Sequence, residues 1–434
     1  MKRIVSGLGA LALGVWALTP GAGGLVDGAG FWQWRREAVL LSGLVGLLAM
    51  SAAILLATRP RWLERPLGGL DKAYALHKWL GITAGVALGL HWFAENGARW
   101  LVQLGWVMRR ARGGPHGPDS ALIDFAKESG EWAFYVMLAL LVVALVQRIP
   151  YRYFRWVHKA LAVVFLFGTF HALMLAPDAW YAGAAGWLVI AAATVGGVGA
   201  LWSLTGRIGR ARTLHGRVAA VTVHGGGLVD LRLELPAPGL IAKAGQFAFL
   251  QFDAREGPHP FTIASADDPC RPRFVIKPLG DYTATLGRSL AAGRMAKVEG
   301  PYGCFDFDAA GERELWIAGG IGITPFLARL DALIAQGGSR RPVDFWYCTR
   351  NAGDAAFPDG LEARCAKAGV RLHRVVAELD GLLDAARLAR EAGTLRGGQV
   401  WFCGPAGFAR SLRRQLEGLG LPRQAFHSER FAMR

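Results

Sequence analysis

Four histidines lie inside two apolar stretches of the chain, His77 and His91 in one, His158 and His171 in the other, at intervals of 14 and 13 residues. At a helical rise of about 1.5 Å per residue, either interval separates two imidazoles by roughly 20 Å along one axis. That is a large part of the roughly 30 Å hydrocarbon core of a bilayer. Two such helices side by side can hold two cofactors, one above the other, each ligated by one histidine from each helix. Imidazole suits axial ligation of haem iron, and ionisable residues at membrane depth usually mark a function. A lone intramembrane histidine more often bridges helices by hydrogen bonding; two matched pairs favour ligation. On an ideal helix fourteen residues return to within about 40° of the starting face, whereas thirteen miss by about 140°. The second helix must therefore bend or bulge, for which Gly168 is suited, or its rings must reach round.

The elements that carry these rings follow from the apolar pattern. Runs at about residues 4–20, 37–57, 73–94, 131–147, 157–176 and 184–205 approach the roughly 20 residues a spanning helix needs. Trp32, Trp34, Trp62, Trp79, Trp132, Trp156 and Trp180 fall near run ends, as expected of interfacial belts. Six spans result, with both ends of the membrane domain on one side. Lys2 and Arg3, then Arg59, Arg61, Arg65 and Lys72, then Arg148, Arg152, Arg155 and Lys159, then Arg207, Arg210 and Arg212 all fall on that side, which the positive-inside rule makes cytoplasmic. The opposite side carries Arg35, Arg36 and the long loop 95–130, whose bases Arg99, Arg109, Arg110, Arg112 and Lys127 are mostly offset by Glu95, Asp119, Asp124 and Glu128. The first run also fits a signal peptide, whose cleavage would leave five spans; a retained helix is the preferred reading.

All five cysteines lie after residue 269 without metal-ligand spacing, which suits a reducing compartment. The net charge of +16 divides equally between the apolar and the polar halves. With no basic stripe interleaved with aromatics, it reads as cytoplasmic loop charge and anionic-ligand binding, not nucleic-acid binding.

Beyond Arg212 the texture changes. Period-two stretches at Arg217–Val223, Leu228–Leu235 and Gln246–Phe252, separated by Gly and Pro, read as a small antiparallel barrel. From about residue 312, apolar strands alternate with helical patterns, which is the signature of a doubly wound parallel sheet. The expected architecture is therefore a six-helix transmembrane bundle (1–205), an antiparallel β-barrel domain (206–308) and an α/β doubly wound domain (309–434). The turn after strand Leu315–Ala318 contains Gly319, Gly320, Gly322, Thr324 and Pro325. Glycines let backbone approach a pyrophosphate, and the following helix N-terminus presents free N–H groups. Pro325 stands where the common GxGxxG pattern has its third glycine and suits a first helical turn. Cys403, Gly404 and Pro405 form a second strand-end motif.

These motifs resemble those of the NADPH oxidase and ferric reductase superfamily. His259-Pro260-Phe261-Thr262-Ile263-Ala264-Ser265 looks like its flavin-binding HPFT motif, Gly280-Asp281-Tyr282-Thr283 resembles its FAD-pyrophosphate turn, and Glu299-Gly300-Pro301-Tyr302-Gly303 is similar to its GPYG turn. The stretch Gly320–Phe326 is similar to its nicotinamide motif and Phe402–Pro405 to its FCGP motif; the histidine intervals match its third and fifth helices. The resemblance runs from about residue 37 to the C-terminus and implies two b haems, FAD and NADPH, with NADH the alternative donor. It implies that His77 and His158 hold the haem nearer the cytoplasm, and His91 and His171 the outer one. His259, Pro260, Phe261, Thr262, Ser265, Ile276, Lys277, Gly280, Asp281, Thr283 and Phe431 fall at FAD-binding positions. Gly319, Gly320, Gly322, Thr324, Pro325, Arg350, Cys403, Gly404 and Pro405 fall at NADPH-binding positions, with Arg350 placed to grip the 2′-phosphate. Tyr282 replaces a commoner Trp, and the chain continues past Phe431 by three residues.

The resemblance implies electron flow from cytoplasmic NADPH through FAD and both haems to an extracytoplasmic ferric chelate or dioxygen, in a multi-pass bacterial-type plasma-membrane protein with no obligatory protein partner. Lys78 and Lys159, each next to an inner histidine, are placed to pair with haem propionates or to snorkel to the interface. Two readings of other classes compete: a histidine-lined metal or proton transporter fused to a flavoreductase, and a flavoreductase merely anchored by helices.

Overall fold

The computed structural model describes residues 2–25, 29–109, 120–146, 151–265, 267–354, 360–393 and 395–429. Phe431, Arg110, Arg112, Asp119 and Arg148 lie outside them. The chain divides into two compact units, one of residues 1–63 and 73–208, the other of residues 64–72 and 209–434. The short segment 64–72, expected within the membrane domain, thus belongs with the polar half.

The first unit is helical: α1 (Lys2–Ala17), α2 (Pro20–Gly23), α3 (Phe31–Ala57), α4 (Arg61–Leu67, shared with the second unit), α5 (Leu70–Gln103), α6 (Ser120–Leu145), α7 (Tyr151–Lys159), α8 (Leu161–Leu175), α9 (Asp178–Tyr181) and α10 (Ala184–Leu204). Among the described residues, three stretches, Phe31–Ala57, Tyr153–Leu175 and Ala184–Leu204, are long and apolar enough to cross a membrane. The histidines and Lys78 make α5 more polar than these. Trp132 and Trp187 are about 70 % exposed, as aromatic rings facing lipid would be. Small residues let the helices approach closely: Gly196 lies against Phe165 and Ser51, and the Ser51 hydroxyl donates to the Ala192 carbonyl at 2.8 Å.

Two expectations change here. The segment 95–130 is helical at both ends, because α5 runs on to Gln103 and α6 begins at Ser120. The irregularity between His158 and His171 falls at Ala160, not at Gly168, which sits inside α8. At Ala160 the bonding tightens to i→i−3, with Ala160 N–H donating to Val157 O at 3.1 Å and Val163 N–H to Ala160 O at 3.0 Å. The same carbonyl also takes the usual i→i−4 bond from Val164 at 3.2 Å. The i→i−3 bonds add roughly 20° of rotation per residue and so supply part of the turn that brings the later ring toward the earlier one's face.

The second unit contains two sheets. In the first, β1 (Thr213–Val223), β2 (Val229–Glu234), β3 (Phe247–Gln251), β4 (His259–Thr262), β5 (Arg273–Ile276) and β6 (Met295–Tyr302) pair antiparallel in the order β4-β3-β6-β1-β2-β5. A bridge between Ile263 and Phe274 nearly closes this barrel. Alternation points Val218, Leu231, Leu233, Ala248, Leu250 and Val298 inward, and α11 (Asp281–Ser289) supplies Leu286 to the same core.

The second sheet is parallel: β7 (Arg313–Gly319), β8 (Val343–Thr349), β9 (Val370–Val376), β10 (Gly398–Cys403) and β11 (Phe426–Ser428), in the order β11-β10-β7-β8-β9. Helices α12 (Thr324–Ala335), α13 (Leu361–Ala368), α14 (Ala377–Asp380), α15 (Ala385–Ala392) and α16 (Ala406–Gly418) connect these strands. Period two sorts each strand between two cores. Trp316, Phe345 and Trp401 meet Phe326 on one face, while Leu315, Ile317, Trp346, Val400 and Phe402 meet Leu388 and Leu416 on the other.

One buried carboxylate ties the N-terminal ends of β7, β8 and β9 together. Asp344, 1 % exposed, accepts from Arg313 at 2.6 Å, from His373 at 3.0 Å and from Arg371. Burial pushes its carboxyl up, but the hydrogen bonds from Arg371, His373 and Arg313 outweigh that and hold it below its ordinary value. A depressed carboxylate stabilises the fold above its unfolded-state pKa, and that contribution disappears as pH falls through the folded one. Asp344→Asn should cost about 3–5 kcal/mol, because it leaves the largely buried Arg313 guanidinium without its carboxylate. Urea denaturation should show this loss at neutral pH, with a weaker dependence on acid below about pH 4 than in the unmodified protein.

Candidate functional site

Within the first unit, the four histidines form two pairs across α5 and the α7–α8 pair. The ring centroids of His77 and His158 are 5.8 Å apart, and those of His91 and His171 are 6.1 Å apart. A metal between two imidazoles needs two bonds of about 2 Å plus a ring radius at each end, or roughly 6 Å between centroids. The spacing suits that arrangement. Among the described residues no third His, Cys, Asp or Glu joins either pair. Each site thus offers two nitrogens, the number that a six-coordinate haem iron takes from protein.

The rings are oriented from the neighbouring helices. His77 Nδ1 lies 2.8 Å from the Ala53 carbonyl, His91 Nδ1 2.8 Å from that of Val39, and His171 Nδ1 2.9 Å from that of Ala126. A carbonyl only accepts, so each Nδ1 carries the proton and each Nε2 keeps its lone pair for a metal. His158 differs. Its ring stacks on Phe154 at 5.0 Å, and its Nδ1 is buried without a hydrogen-bond partner. Lys159 lies over the Trp156 ring at 5.8 Å, an interfacial arrangement.

In the barrel, His259, Pro260, Phe261 and Thr262 form β4, and Ser265 follows it. The His259 ring stacks on Tyr282 at 4.4 Å and lies 3.3 Å from Glu256. Burial, and then Glu256, push the Tyr282 hydroxyl up to about 12. The Thr262 hydroxyl is buried with no protein partner, an unmet polar atom of the kind a bound cofactor satisfies. Ser265 Oγ accepts from Arg273 N–H at 3.2 Å. Gly280 precedes α11, where Thr283 Oγ1 accepts the N–H groups of Leu279 and Gly280 at 2.9 and 3.0 Å. Asp281 opens that helix, whose first N–H groups make an anion seat. Ile276 is buried at the end of β5, and Lys277 lies 3.6 Å from Asp354.

In the parallel sheet the chain runs β7, β8, β9 in one direction and then returns to β10 on the other side of β7. The strand order reverses between β7 and β10, and ligands of such sheets bind at the carboxyl ends of the strands there. Both glycine motifs occupy that point. A Cβ on Gly322 would meet Cys403 O at 2.2 Å, and one on Gly319 would meet Pro405 Cδ at 2.7 Å. Gly404 packs against the Gly319 backbone, and Gly320 takes a left-handed φ of +56°. Only glycine lets the two turns touch. Thr324 and Pro325 begin α12, and Cys403 is a buried thiol raised well above its usual range by burial. Arg350 follows β8 with its side chain exposed, 3.6 Å from Glu378.

Sequence reasoning missed a second cluster in this unit. Glu64, an acid amid the bases Arg59, Arg61 and Arg65, accepts from the Gly303 N–H at 2.7 Å and pairs with Arg212 at 3.3 Å. Arg212 also lies 4.6 Å over the Tyr302 ring and donates to Pro301 O at 3.3 Å. Glu429, on the last described residue, is a buried carboxyl raised well above its ordinary range by burial and then by Asp71. A lone acid in a basic segment was the available signal for Glu64; Glu429 had none.

Residues 42–169 match the family described as the ferric reductase like transmembrane component, and residues 213–305 match the FAD-binding domain family. The chain joins a ferric reductase like transmembrane component to an FAD-binding domain, the architecture of the NADPH oxidase and ferric reductase superfamily. Part of the chain is 31 % identical over 208 residues to a flavohemoprotein of Pseudomonas putida, covering 45 % of this chain and 52 % of that protein. It is likewise 31 % identical over 206 residues to the stachydrine N-demethylase reductase subunit of Rhizobium meliloti, covering 43 % and 57 %. The chain spans about half the length of these curated relatives. A flavohemoglobin structure from Malassezia yamatoensis, with bound FAD and heme, superposes with a TM-score of 0.51 at 18 % identity, covering 92 % of this chain and 98 % of that one. At that identity the likeness concerns fold.

Glu64→Ala removes an acceptor from the Gly303 N–H and from Arg212 at once. It should cost about 1–3 kcal/mol, the usual penalty of an unmet buried donor. Chemical denaturation followed by tryptophan fluorescence reads this loss, and Glu64→Gln should recover part of it.

Proposed function

We propose that the chain is a transmembrane oxidoreductase that passes electrons from cytoplasmic NADPH, through FAD and two b haems, to a ferric chelate or dioxygen on the opposite face. The observation that carries this reading is the pair of facing imidazole couples, with centroids 5.8 and 6.1 Å apart inside an apolar bundle. When bound, FAD converts a two-electron hydride supply into single electrons, and haem iron accepts them one at a time.

The residues divide the remaining work. His77 and His158 would hold the inner haem, His91 and His171 the outer one, with carbonyl-bonded Nδ1 protons keeping three of the four Nε2 atoms free for iron. Thr262 offers its unmet hydroxyl to the flavin, with His259, Pro260, Phe261, Ser265, Ile276 and Lys277 around it. Gly280, Asp281 and Thr283 present a helix start to its pyrophosphate. The touching turns of Gly319, Gly320, Gly322, Thr324 and Pro325 and of Cys403, Gly404 and Pro405 leave backbone bare for the dinucleotide. Phe431, outside the described residues, falls at a FAD-binding position of the family. With two histidines holding each haem, iron would have no place left for an acceptor, so no side chain would be needed to activate one there.

Six of the helices, α1, α3, α5, α6, α8 (with α7) and α10, are proposed as spans. With an even number of spans, the basic segments support a cytoplasmic place for the FAD and NADPH domains.

The test uses sealed vesicles of known orientation. NADPH on the flavin face should reduce an impermeant ferric chelate, or oxygen, on the other face, and purified protein should show two low-spin b haems per chain. His91→Leu or His171→Leu should remove one haem and leave NADPH-to-flavin transfer intact. A requirement for donor and acceptor on the same face would favour an anchored flavoreductase, and a folded protein without a Soret band would favour a transporter.

Arg350→Ala tests nucleotide choice separately. Loss of a charge-assisted hydrogen bond to a 2′-phosphate should weaken NADPH binding roughly ten- to hundredfold and leave NADH unchanged. Steady-state kinetics with both nucleotides read the difference, and equal effects would make Arg350 an ordinary surface base.

A further inference from the structure

The carbonyls that take the histidine protons already serve their own helices, and those of Val39 and Ala126 also accept the hydroxyls of Ser42 at 3.1 Å and Ser129 at 2.9 Å, so each ring must reach its carbonyl as a further donor from the side. In an α-helix the side chain at position i+4 leans back toward the N-terminus and covers the turn that holds the carbonyl of residue i. The acceptor for His91 is Val39, and four residues on stands Gly43. The acceptor for His171 is Ala126, and four residues on stands Gly130. The third acceptor, Ala53, is followed at the same interval by Ala57, the smallest side chain.

The rings fill the space that these side chains vacate. A Cβ on Gly130 would lie 2.1 Å from His171 Nδ1 and 2.6 Å from its Cγ and Cε1. One on Gly43 would lie 3.1 Å from His91 Nδ1 and 3.2 Å from its Cε1. Both glycines have the negative φ of regular helix, so backbone conformation does not call for them. Gly197, in α10, meets nothing within 4 Å and so does not share this role.

We infer that Gly130 and Gly43 are positioning residues for the outer haem: gaps in α6 and α3 that expose one carbonyl each to an axial histidine. This rests on the ligand assignment proposed above. The hydrogen bond they permit fixes the imidazole tautomer and ring rotation and makes the ligand more basic, which tunes the metal it binds. A methyl at either position pushes the ring off its carbonyl. At Gly130 the overlap is too deep for the ring to stay; at Gly43 a few tenths of an ångström suffice.

The experiment compares Gly130→Ala, Gly43→Ala and Gly197→Ala in the full-length protein. Pyridine haemochrome assay gives haem per chain, and potentiometric titration and low-temperature EPR follow each haem. Gly130→Ala should fall from two haems to one, with the inner haem and NADPH-to-flavin transfer retained. Gly43→Ala should keep both haems but shift the midpoint potential and the EPR signature of the outer one alone. Gly197→Ala should match the unmodified protein. If Gly130→Ala is not recovered folded, the milder Gly43→Ala decides. Two haems with unchanged potentials and EPR in Gly43→Ala, or a shift in Gly197→Ala equal to that in Gly43→Ala, would overturn the inference. An unmodified, folded protein lacking two haems would instead overturn the ligand assignment on which it rests.

Discussion

A ring nitrogen carrying a proton is costly to leave bare inside an apolar helical bundle. An unmet buried donor costs about 1–3 kcal/mol, and no water is at hand to take its place. The first unit meets this demand by turning His77, His91 and His171 toward backbone carbonyls of α3 and α6 at 2.8 to 2.9 Å. Much else follows from that bond. It sets the tautomer, it leaves the opposite nitrogen of each ring as a lone-pair donor, and it demands that the neighbouring helix expose a carbonyl. Gly43 and Gly130 belong to the same constraint, because a side chain at either would occupy the ring's place. His158 is the exception, held by a stacked Phe154 in place of a carbonyl. The two pairs are therefore chemically unequal, and a cofactor at each would meet a different ligand field.

The second unit solves a different problem with the same residue type. There the task is to bring two strand-end turns together at the reversal of a parallel sheet, and glycine is needed because backbone must touch backbone. Gly322 lies against Cys403 O, and Gly404 lies against Gly319. The surface so made is bare of side chains at the mouth of the sheet, where a dinucleotide can approach the N–H groups at the start of α12. Behind it, the aromatic cluster of Trp316, Phe326, Phe345 and Trp401 and the buried Asp344 network keep β7, β8 and β9 in register, so that the turns are carried by a stiff support.

Much of this was legible in the residues. Period two marked three of the six barrel strands, long apolar runs marked the helices, and glycine-rich strand ends marked the two turns that touch at the reversal of the parallel sheet, because each signal arises from neighbours within about one element's length. The interval of the histidines showed that two rings could share a helix, since rise per residue is a local property. What local pattern could not supply was rotation. Thirteen residues between His158 and His171 left the later ring facing away, and part of the backbone answer lies at Ala160, where i→i−3 bonds join an i→i−4 one, with nothing in that alanine to announce it. The helical ends of the 95–130 segment were missed for the opposite reason. Their charged residues read as a loop, while helix geometry tolerates them on an exposed face.

The rest was decided by tertiary structure. Arg217 and Glu234 on adjacent strands, or Arg387 and Glu391 one helical turn apart, follow from register, but Glu64 meets Gly303 across 239 residues, and no periodicity connects them. Glycines at 43 and 130 were visible from the start as letters. Their meaning was not, because a missing side chain acquires a role only when another helix places an imidazole in the space it leaves. Sequence alone thus determined which elements form and which chemistry each can carry, since those depend on short-range geometry. Only packing determined which carbonyl, which glycine and which carboxylate each functional ring or turn would meet, since those contacts join residues that the chain keeps far apart.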